Sequence, residues 1–328
     1  MASTDKKILI TGAGGFIGSH LTERCVELGY NVKALVHYNS RNNWGWLEDS
    51  VYKNDFEIVP GDIRDYDSVH SAMRGCDTAF HLAALIGIPY SYNSPLAYIK
   101  TNIEGTYNVL QAAKELGTGN ILITSTSETY GTAQYVPIDE KHPMVGQSQY
   151  SATKIAADQL ALSFYLSFGL PVKIVRPFNT YGPRQSARAI IPTIVIQILN
   201  GQKSLNLGNI DTTRDLTFVK DTVNGFIEIA KTDRLFGEIA NIGMSEEISI
   251  EDLADLISKL MGADVNIETD PKRVRPDKSE VIRLLCDNKK IITNTIWKPE
   301  YNLEKGLKET IKWIKNNINY YKSEIYNI

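Results

Sequence analysis

The feature that most constrains the fold is a regular alternation of short apolar runs with helical patterns across the first half of the chain. The runs are rich in Ile, Val and Leu, as in strands that are buried on both faces. They are Lys7–Thr11, Asn31–Val36, Phe56–Val59, Thr78–Leu82, Asn120–Thr124 and Val172–Val175. Helices are predicted between them, near 16–28, 66–74, 95–116 and 148–168. Strands separated by helices indicate a parallel sheet covered on both faces, the doubly wound, Rossmann-like α/β class.

Beyond Pro177 this alternation loosens, and a second lobe is expected. Residues 176–183 (Arg-Pro-Phe-Asn-Thr-Tyr-Gly-Pro) are predicted to form a loop because of their Pro and Gly content. The apolar run Gly237–Gly243 is expected to return to the main sheet as one more strand. Further helices are predicted near 188–200, 219–231, 249–261 and 303–317. The predicted division is a dinucleotide-binding domain of 1–177 plus about 210–243, and a smaller interleaved lobe of about 178–209 plus 244–328.

The composition is that of an ordinary globular protein and argues against several classes. Of 328 residues, 43% are apolar and 22% are charged, and the net charge is −3, so neither a nucleic-acid surface nor a disordered chain is expected. No stretch reaches the roughly 18 apolar residues of a membrane span, and Met1–Lys7 does not begin a signal peptide. Cys25, Cys76 and Cys286 form no metal or disulfide spacing. This favours a cytoplasmic location and no metal site.

A glycine-rich loop follows the first predicted strand and opens the first predicted helix. Gly12, Gly15 and Gly18 are spaced Gly-x-x-Gly-x-x-Gly, with Phe16 and Ile17 before the last glycine. Glycines permit a tight turn and let backbone N–H groups approach a pyrophosphate at a helix N-terminus. The sequence therefore predicts that this segment binds a dinucleotide cofactor.

The end of the second strand bears on which nicotinamide cofactor is bound. A carboxylate is expected there if the ribose 2′-hydroxyl of NAD is recognised. The sequence has Asn39, Ser40 and Arg41 instead, which suit a 2′-phosphate and slightly favour NADP, although backbone groups can also serve NAD. After the third strand, Asp62 and Ile63 are placed to contact the adenine. The alternative for Asp62 is a helix N-cap, for which Asp65 is better placed.

Two segments carry the candidate chemistry. Tyr150 and Lys154 are four residues apart, so they share one face of a helix, and an ammonium beside a phenol is expected to lower the phenol pKa. The segment Ser125–Tyr130 offers a hydroxyl and a carboxylate after a buried strand. With 17 tyrosines in the chain, chance recurrence of the spacing is expected, and Tyr301 with Lys305 is interpreted as such a copy at a solvated helix start.

Taken together, the motifs resemble the extended short-chain dehydrogenase/reductase superfamily that acts on nucleotide sugars. The matching motifs are Gly12-x-x-Gly15-x-x-Gly18, Asp62-Ile63, His81-Leu-Ala-Ala84, Asn102, Tyr150-x-x-x-Lys154 and Arg176-Pro-Phe-Asn179. The resemblance implies a tightly bound, recycled NAD(P)+, with Tyr150 as catalytic base and acid, Lys154 as its partner and ribose ligand, and Thr126 orienting the sugar C4 hydroxyl. It further implies cofactor contacts from Leu82, Ala83, Ala84, Asn102 and Pro177.

Within the superfamily, Thr126-Ser127-Glu128 separates the reaction types. A C4 epimerase usually lacks the glutamate, whereas a 4,6-dehydratase also removes the C5 proton. The triplet resembles the GDP-mannose 4,6-dehydratase type and lacks the aspartate by which the deoxythymidine-diphosphoglucose type protonates the departing C6 hydroxyl. Either Glu128 performs both proton transfers or Ser127 relays one. UDP-glucuronate decarboxylases also carry Thr-Ser-Glu and are the nearest alternative, ahead of an epimerase or a non-catalytic nucleotide-binding scaffold.

Longer strings resemble the LegB-type NDP-N-acetylglucosamine 4,6-dehydratases of legionaminic acid synthesis. They are Tyr38-Asn-Ser with Trp44-Gly-Trp46, the run from Arg176 to Arg188, and the run from Arg273 to Val281. The resemblance implies an N-acetylglucosamine linked to UDP or GDP as substrate, bound in the smaller lobe. It also suggests a homodimer through the helices near 95–116 and 148–168, although packing on the sheet explains their apolar positions equally well. It implies that Arg214 and Arg275 hold the diphosphate, with Asn179 and Arg188 as further candidates. Arg184 is undecided, and Trp44 and Trp46 pack either on the cofactor, on a second subunit or in the core.

Overall fold

A seven-stranded parallel sheet lies at the centre of the computed structural model, which describes residues 5–322. The outer ends of the two predicted lobes, 1–4 and 323–328, lie outside the described residues. The strands are β1 Lys7–Thr11, β2 Asn31–His37, β3 Phe56–Gly61, β4 Thr78–His81, β5 Asn120–Thr124, β6 Val172–Pro177, β7 Asn179–Tyr181, β8 Ser204–Leu207, β9 Thr213–Arg214, β10 Leu216–Phe218, β11 Ile239–Ile242, β12 Ile248–Ser249 and β13 Asn266–Thr269. The order in the central sheet is β11-β6-β5-β4-β1-β2-β3, and all its pairs are parallel.

Helices cover both faces of this sheet. The helices of residues 5–322 are, in chain order, α1 Phe16–Glu27, α2 Tyr66–Met73, α3 Ile88–Asn93, α4 Pro95–Tyr98, α5 Gly105–Leu116, α6 Gln149–Phe168, α7 Ile190–Leu199, α8 Val219–Lys231, α9 Ile250–Met261, α10 Lys289–Asn294 and α11 Leu303–Asn316. Alternate residues of a strand point to opposite faces. Ile8 and Ile10 accordingly join a core with residues of α1, α7 and α8, whereas Leu9 joins a second core with residues of α2, α5 and α6. The predicted doubly wound α/β class is confirmed.

The predicted return of the chain to the sheet is also confirmed. β11 pairs with β6 in parallel register, from Ile239 opposite Ile174 to Ile242 opposite Pro177. The prediction of a loop over 176–183 is wrong in part. Arg176 and Pro177 complete β6, where a proline is tolerated as a terminal residue, and Asn179–Tyr181 pairs with Leu216–Phe218.

The helix predicted near 95–116 has the expected extent but is not one regular helix. A π-helical stretch, Ile99–Glu104, separates α4 from α5. Such wide turns are often found beside functional sites. Here the stretch carries Asn102 and directly follows Tyr98, and both side chains are almost completely buried next to the candidate active site.

Trp44 and Trp46 take part in packing within the chain. The Trp46 ring contacts the rings of Trp313 and Tyr320, with centroid distances of 5.3 and 5.2 Å. The Trp46 backbone N–H donates to the Gly14 carbonyl, and a Cβ on Gly14 would lie 2.3 Å from the Trp44 carbonyl oxygen. The segment Trp44–Trp46 therefore packs against the glycine loop. Of the three surroundings considered for these tryptophans, the structure shows packing within the chain.

Among residues 5–322, no helix combines the length and apolar character that a bilayer crossing requires. The three cysteines are buried and free.

Candidate active site

The glycine loop joins β1 to α1 and has the geometry of an anion site. Gly12 has φ +69°, and a Cβ there would lie 2.8 Å from the Ala83 backbone nitrogen. Gly15 is the N-cap of α1 and supplies no side-chain cap, so the first backbone N–H groups of the helix are left for another acceptor. These residues fit a dinucleotide pyrophosphate, which Gly12, Gly15, Phe16, Ile17 and Gly18 would hold through the loop and the start of the helix.

Gly12→Ala is expected to weaken NAD+ binding at least about tenfold. Positive φ destabilises an alanine by about 1–2 kcal/mol. Its methyl group would also clash with the Ala83 backbone. Gly29→Ala is the matched control, because Gly29 has φ +82° but nothing lies within 4 Å of its Cβ position. Titration calorimetry with NAD+ and the melting temperature of each variant provide the measurement. Equal NAD+ affinities in the two variants would contradict a cradle at Gly12.

The segment after β4 is fixed against the glycine loop by Thr11. The Thr11 hydroxyl oxygen accepts from the backbone N–H groups of Leu82 and Ala83, each at 3.1 Å, and bonds with His81 Nδ1 at 2.8 Å. Since this oxygen accepts twice, its own hydrogen goes to Nδ1, and Nε2 donates to Thr106. Burial lowers the pKa of His81 to about 3, so the ring is neutral. This network fixes Leu82 and Ala83 against the glycine loop. Contact of Leu82, Ala83 and Ala84 with the cofactor stays a prediction.

Asn102 is a predicted cofactor ligand, but its side chain forms hydrogen bonds with other residues of the chain. Its Oδ1 accepts from the Leu85 N–H at 2.9 Å, and its Nδ2 donates to the Leu85 carbonyl and to the Thr153 hydroxyl, both at 3.0 Å. Asn102 therefore ties the segment after β4 to α6, a supporting position one step behind the site.

Two of the residues predicted to contact the adenosine half of the cofactor, Asn39 and Asp62, already form hydrogen bonds within the chain. Asn39 folds its side chain into its own turn, accepting from the N–H groups of Arg41 and Asn43, while Ser40 and Arg41 are exposed. Asp62 forms an ion pair with Arg64 at 2.5 Å, which lowers the pKa of its carboxyl group. Asp65 is the N-cap of α2, as expected. A role for Asp62 at the adenine would therefore compete with this ion pair.

Tyr150 and Lys154 lie on one face of α6, as predicted. The helix starts at a capping box, in which the Ser148 hydroxyl accepts from the Ser151 N–H and the Ser151 hydroxyl bonds back to Ser148. The two side chains are 7% and 3% exposed. Burial therefore dominates their electrostatics.

The expected lowering of the Tyr150 pKa by Lys154 is wrong for this structure. Burial, together with the negative charge of Glu128, raises the pKa of Tyr150 well above its usual value. The Lys154 ammonium donates instead to the Thr124 carbonyl at 2.5 Å, and burial lowers its own pKa to about 8. Removal of both groups from water outweighs their proximity along the helix.

Thr126, Ser127 and Glu128 follow β5 and begin a short 3₁₀ turn. The Thr126 hydroxyl caps this turn by accepting from the Glu128 N–H at 3.2 Å. Ser127 is buried, while Thr126 and Glu128 are half-buried. The Thr126 hydroxyl lowers the pKa of Tyr150 through a hydrogen bond, and the charge of Glu128 raises it, so both groups act on the phenol. The structure thus brings the two predicted segments together.

The predicted diphosphate ligands meet at one carboxylate. Glu280 Oε1 accepts from Arg214 Nη2 at 3.3 Å and from Arg275 Nη1 at 3.5 Å. Burial lowers the pKa of Arg214, while the charge of Glu128 opposes this effect, so this guanidinium interacts electrostatically with the Thr126–Glu128 segment. Asn179 Oδ1 is buried and has no hydrogen-bond partner within residues 5–322, which fits a side chain that waits for a ligand donor.

The two other arginines of the 176–188 run have different surroundings. Arg188 is exposed, but its guanidinium reaches Gly87, where an added Cβ would lie 2.8 Å from Nη1. The Tyr98 hydroxyl lies at the same place, and the Tyr98 ring packs against the Tyr150 ring with a centroid distance of 6.3 Å. Arg184 forms a bidentate ion pair with Glu23, both bonds at 2.9 Å. Arg188 therefore borders the site, whereas Arg184 is structural.

Sequence reasoning missed three side chains at this site. Glu280 lies within the run from Arg273 to Val281, but one of its two partners is distant in sequence, so no local pattern marks it. Asp158 continues the four-residue spacing of Tyr150 and Lys154 along α6, a signal that was available. Tyr98 gave no sequence signal, because its contact with Tyr150 depends on tertiary packing.

Comparison with known proteins yields three different reactions on one fold. The sequence profile described as GDP-mannose 4,6 dehydratase matches residues 9–310. The UDP-N-acetyl-alpha-D-glucosaminuronate decarboxylase of Bacillus cytotoxicus is 34% identical over 321 residues, 94% of this chain and 98% of that protein. The structure of the dTDP-glucose 4,6-dehydratase DesIV from Streptomyces venezuelae, with NAD bound, superimposes with TM-score 0.87 at 28% identity, covering 96% and 99% of the two chains. A UDP-N-acetylglucosamine 4-epimerase from Methanobrevibacter ruminantium superimposes with TM-score 0.86 at 28% identity, with the same coverages.

Proposed function

The chain belongs to the GDP-mannose 4,6-dehydratase family of extended short-chain dehydrogenases/reductases, and from this premise we propose that it is an NDP-sugar 4,6-dehydratase. Its proposed substrate is N-acetylglucosamine linked to UDP or GDP, and its product is the 4-dehydro-6-deoxy sugar nucleotide. The observation that supports elimination of water is the packing of α6, which carries Tyr150, on the 3₁₀ turn that carries Glu128. The Glu128 charge and the Thr126 hydroxyl both act on the Tyr150 phenol.

The proposed roles divide between two bases. Tyr150 takes the proton from the C4 hydroxyl, which Thr126 orients, and the protonated Lys154 would hold the cofactor ribose for the oxidation at C4. A nicotinamide cofactor held by the glycine loop would supply reversible hydride transfer, by which C4 is oxidised and C6 is later reduced. The resulting 4-keto group acidifies C5–H, and Glu128 removes that proton. The C6 hydroxyl leaves as water after gaining a proton from Glu128 or through Ser127, and C5 is then reprotonated, so the sugar loses one water in total.

Substrate binding is proposed to centre on the arginines that share Glu280. Arg214 and Arg275 would contact the diphosphate, for which guanidinium groups are suited, and Asn179 and Arg188 would complete the binding site. The two guanidinium groups repel each other, and the Glu280 carboxylate offsets this repulsion by pairing with both.

Incubation with UDP-GlcNAc, GDP-GlcNAc and UDP-glucuronate, followed by mass spectrometry, tests the proposal. We expect an N-acetylglucosamine nucleotide to lose the mass of water. Loss of carbon dioxide from the uronate would show a decarboxylase, and an unchanged mass with a new sugar stereochemistry would show an epimerase. The Tyr150→Phe variant is the control for nonenzymatic change.

A decarboxylase of an NDP-uronic acid is the second candidate. Such an enzyme needs a cation for the sugar carboxylate, and the position of Arg188 over Gly87, near Tyr98 and Tyr150, offers one. The similarity to the Bacillus cytotoxicus decarboxylase supports the same assignment. In this case Tyr150 and Lys154 keep their roles at C4, and the 4-keto group promotes loss of carbon dioxide.

Several further features are proposed with this function. The cofactor is NAD or NADP, and the slight preference for NADP now rests on Ser40 and Arg41, since Asn39 is used in its own turn. A homodimer is proposed through α5 and α6, where Tyr107 and Phe168 are exposed. The two-lobe division and a cytoplasmic location, which suits buried free cysteines, are proposed as well.

A further inference from the structure

A buried carboxylate lies beneath the catalytic pair and has no role in the reaction described so far. Asp158 is one helical turn beyond Lys154 on α6, and its side chain is 0% exposed. Its Oδ2 accepts from the Ser125 hydroxyl at 2.6 Å and from Arg176 through Nη2 at 2.7 Å and Nε at 3.2 Å. Three hydrogen bonds thus converge on one oxygen atom.

This oxygen connects the three elements that carry the candidate site. Asp158 belongs to α6 with Tyr150 and Lys154, and Arg176 precedes Pro177 at the end of β6. Ser125 directly precedes Thr126, and its N–H also donates to the Val175 carbonyl at 2.7 Å. Fixing Ser125 therefore fixes the start of the Thr126–Glu128 segment relative to the tyrosine.

Stability alone gives a weak reason for such a pair. Moving a carboxylate and a guanidinium out of water costs several kcal/mol for each ion, and apolar residues of similar size often serve as well. Asp158 and Arg176 are both completely buried, and Arg176 also lies over the Tyr130 ring at 4.7 Å. Asp158 lies one helical turn beyond Lys154, and its charge acts on the Lys154 ammonium, which points to an electrostatic role.

We propose that Asp158 is a positioning residue that keeps Lys154 protonated in its buried site and holds the Thr126–Glu128 segment at the Tyr150 phenol. The proposal rests on the proposed role of Tyr150 and Lys154 at C4, which the dehydratase, decarboxylase and epimerase reactions share. It does not depend on the later loss of water.

Two titratable groups are linked electrostatically to Lys154. Asp158 on α6 raises its pKa, and the Lys154 charge helps to lower the pKa of the neutral His81 on β4. Tyr150 shares α6 with Lys154, while Glu128, Tyr130 and Arg176 belong to the two segments on which α6 packs, the 3₁₀ turn after β5 and the strand β6. Burial lowers the pKa of Lys154 to about 8, and Asp158 is the group that opposes this effect. A lysine with a lowered pKa loses its charge as the pH rises through that value. Without Asp158 the charge would be lost at a lower pH.

Asp158→Asn is therefore expected to move the alkaline limb of the pH profile to lower pH by about one unit. The measured rate is reduction of enzyme-bound nicotinamide by the sugar nucleotide in a single turnover. At a pH above the limb, the rate should fall about tenfold relative to the wild type. Ser125→Ala is the matched control, because it removes one hydrogen bond to Asp158 but no charge, and its alkaline limb should stay in place.

Asp158→Asn leaves Arg176 buried without its counter-charge and is at risk of misfolding. The double variant Asp158→Asn/Arg176→Gln removes both charges and should show the same shift with a melting temperature nearer that of the wild type. NMR titration of the lysine ε-carbons, assigned with Lys154→Met, reads the Lys154 pKa without turnover. An unchanged Lys154 pKa in both Asp158 variants would overturn the proposal. Failure of the dehydratase assignment would appear separately, as a different product mass with the pH shift intact.

Discussion

Glu128→Gln is expected to abolish the loss of water while leaving oxidation at C4 intact. The amide cannot remove the C5 proton, and a general base of this kind contributes about 10²–10⁴-fold to the rate. Because Thr126 and Tyr150 are unchanged, the first hydride transfer should still occur. The enzyme should then accumulate reduced nicotinamide, visible in the absorption spectrum after addition of the sugar nucleotide, with no dehydrated product by mass spectrometry.

Glu251→Gln provides the matched control, since Glu251 is exposed in the first turn of α9. It should keep wild-type turnover. Formation of the 4-keto-6-deoxy product by Glu128→Gln at close to the wild-type rate would remove Glu128 from the elimination step. A variant that shows neither product nor reduced nicotinamide would instead indicate that Glu128 acts before or during oxidation at C4.

Tyr150→Phe is expected to stop the reaction at its first step. The variant keeps the ring that packs against Tyr98 but lacks the oxygen that receives the C4 proton. We expect turnover to fall by about 10²–10⁴-fold, with no reduced nicotinamide and with NAD+ affinity nearly unchanged. The absorption spectrum therefore separates the two variants: Glu128→Gln should show reduced nicotinamide after addition of the sugar nucleotide, and Tyr150→Phe should not.

Tyr301→Phe is the natural control, because Tyr301 and Lys305 repeat the same four-residue spacing. Lys220 donates to the Tyr301 hydroxyl at 3.1 Å, and the Lys305 ammonium lies over the ring at 3.8 Å, at the start of α11. Loss of this surface hydrogen bond should leave turnover within about twofold of the wild type. A comparable loss of activity in both variants would show that removal of a tyrosine hydroxyl acts through stability.

The sheet and the cofactor loop were predictable because their signals are local. Apolar runs identify buried strands, and a glycine triplet between a strand and a helix is typical of a phosphate-binding turn. The strand at Asn179–Tyr181 was not predictable in this way. Its pairing with Leu216–Phe218 depends on a distant segment, and Pro177 and Gly182 beside it indicated a loop. The π-helical stretch before α5 left no local signal either.

The candidate site was predictable in its residues and less so in its electrostatics. The spacing of Tyr150 and Lys154 correctly placed both on one face of α6. Spacing carries no information on burial, and burial sets the directions of both pKa values in the structure. The contact of Lys154 with the Thr124 carbonyl and the pairing of Asp158 with Arg176 arise only when α6 packs on β5 and β6.

The late arrival of β11 in the central sheet has a consequence during synthesis on the ribosome. β6 needs β11 as its outer neighbour, yet β7 to β10 and two long helices are made between them. Until Ile242 has left the exit tunnel, β6 presents an unpaired edge, which is a template for misassociation. A fragment ending near residue 177 would keep the glycine loop and Tyr150 but would leave that edge open. Cutting the gene at the apparent end of the first lobe should therefore yield an aggregating chain, whereas a cut beyond β11 closes the sheet.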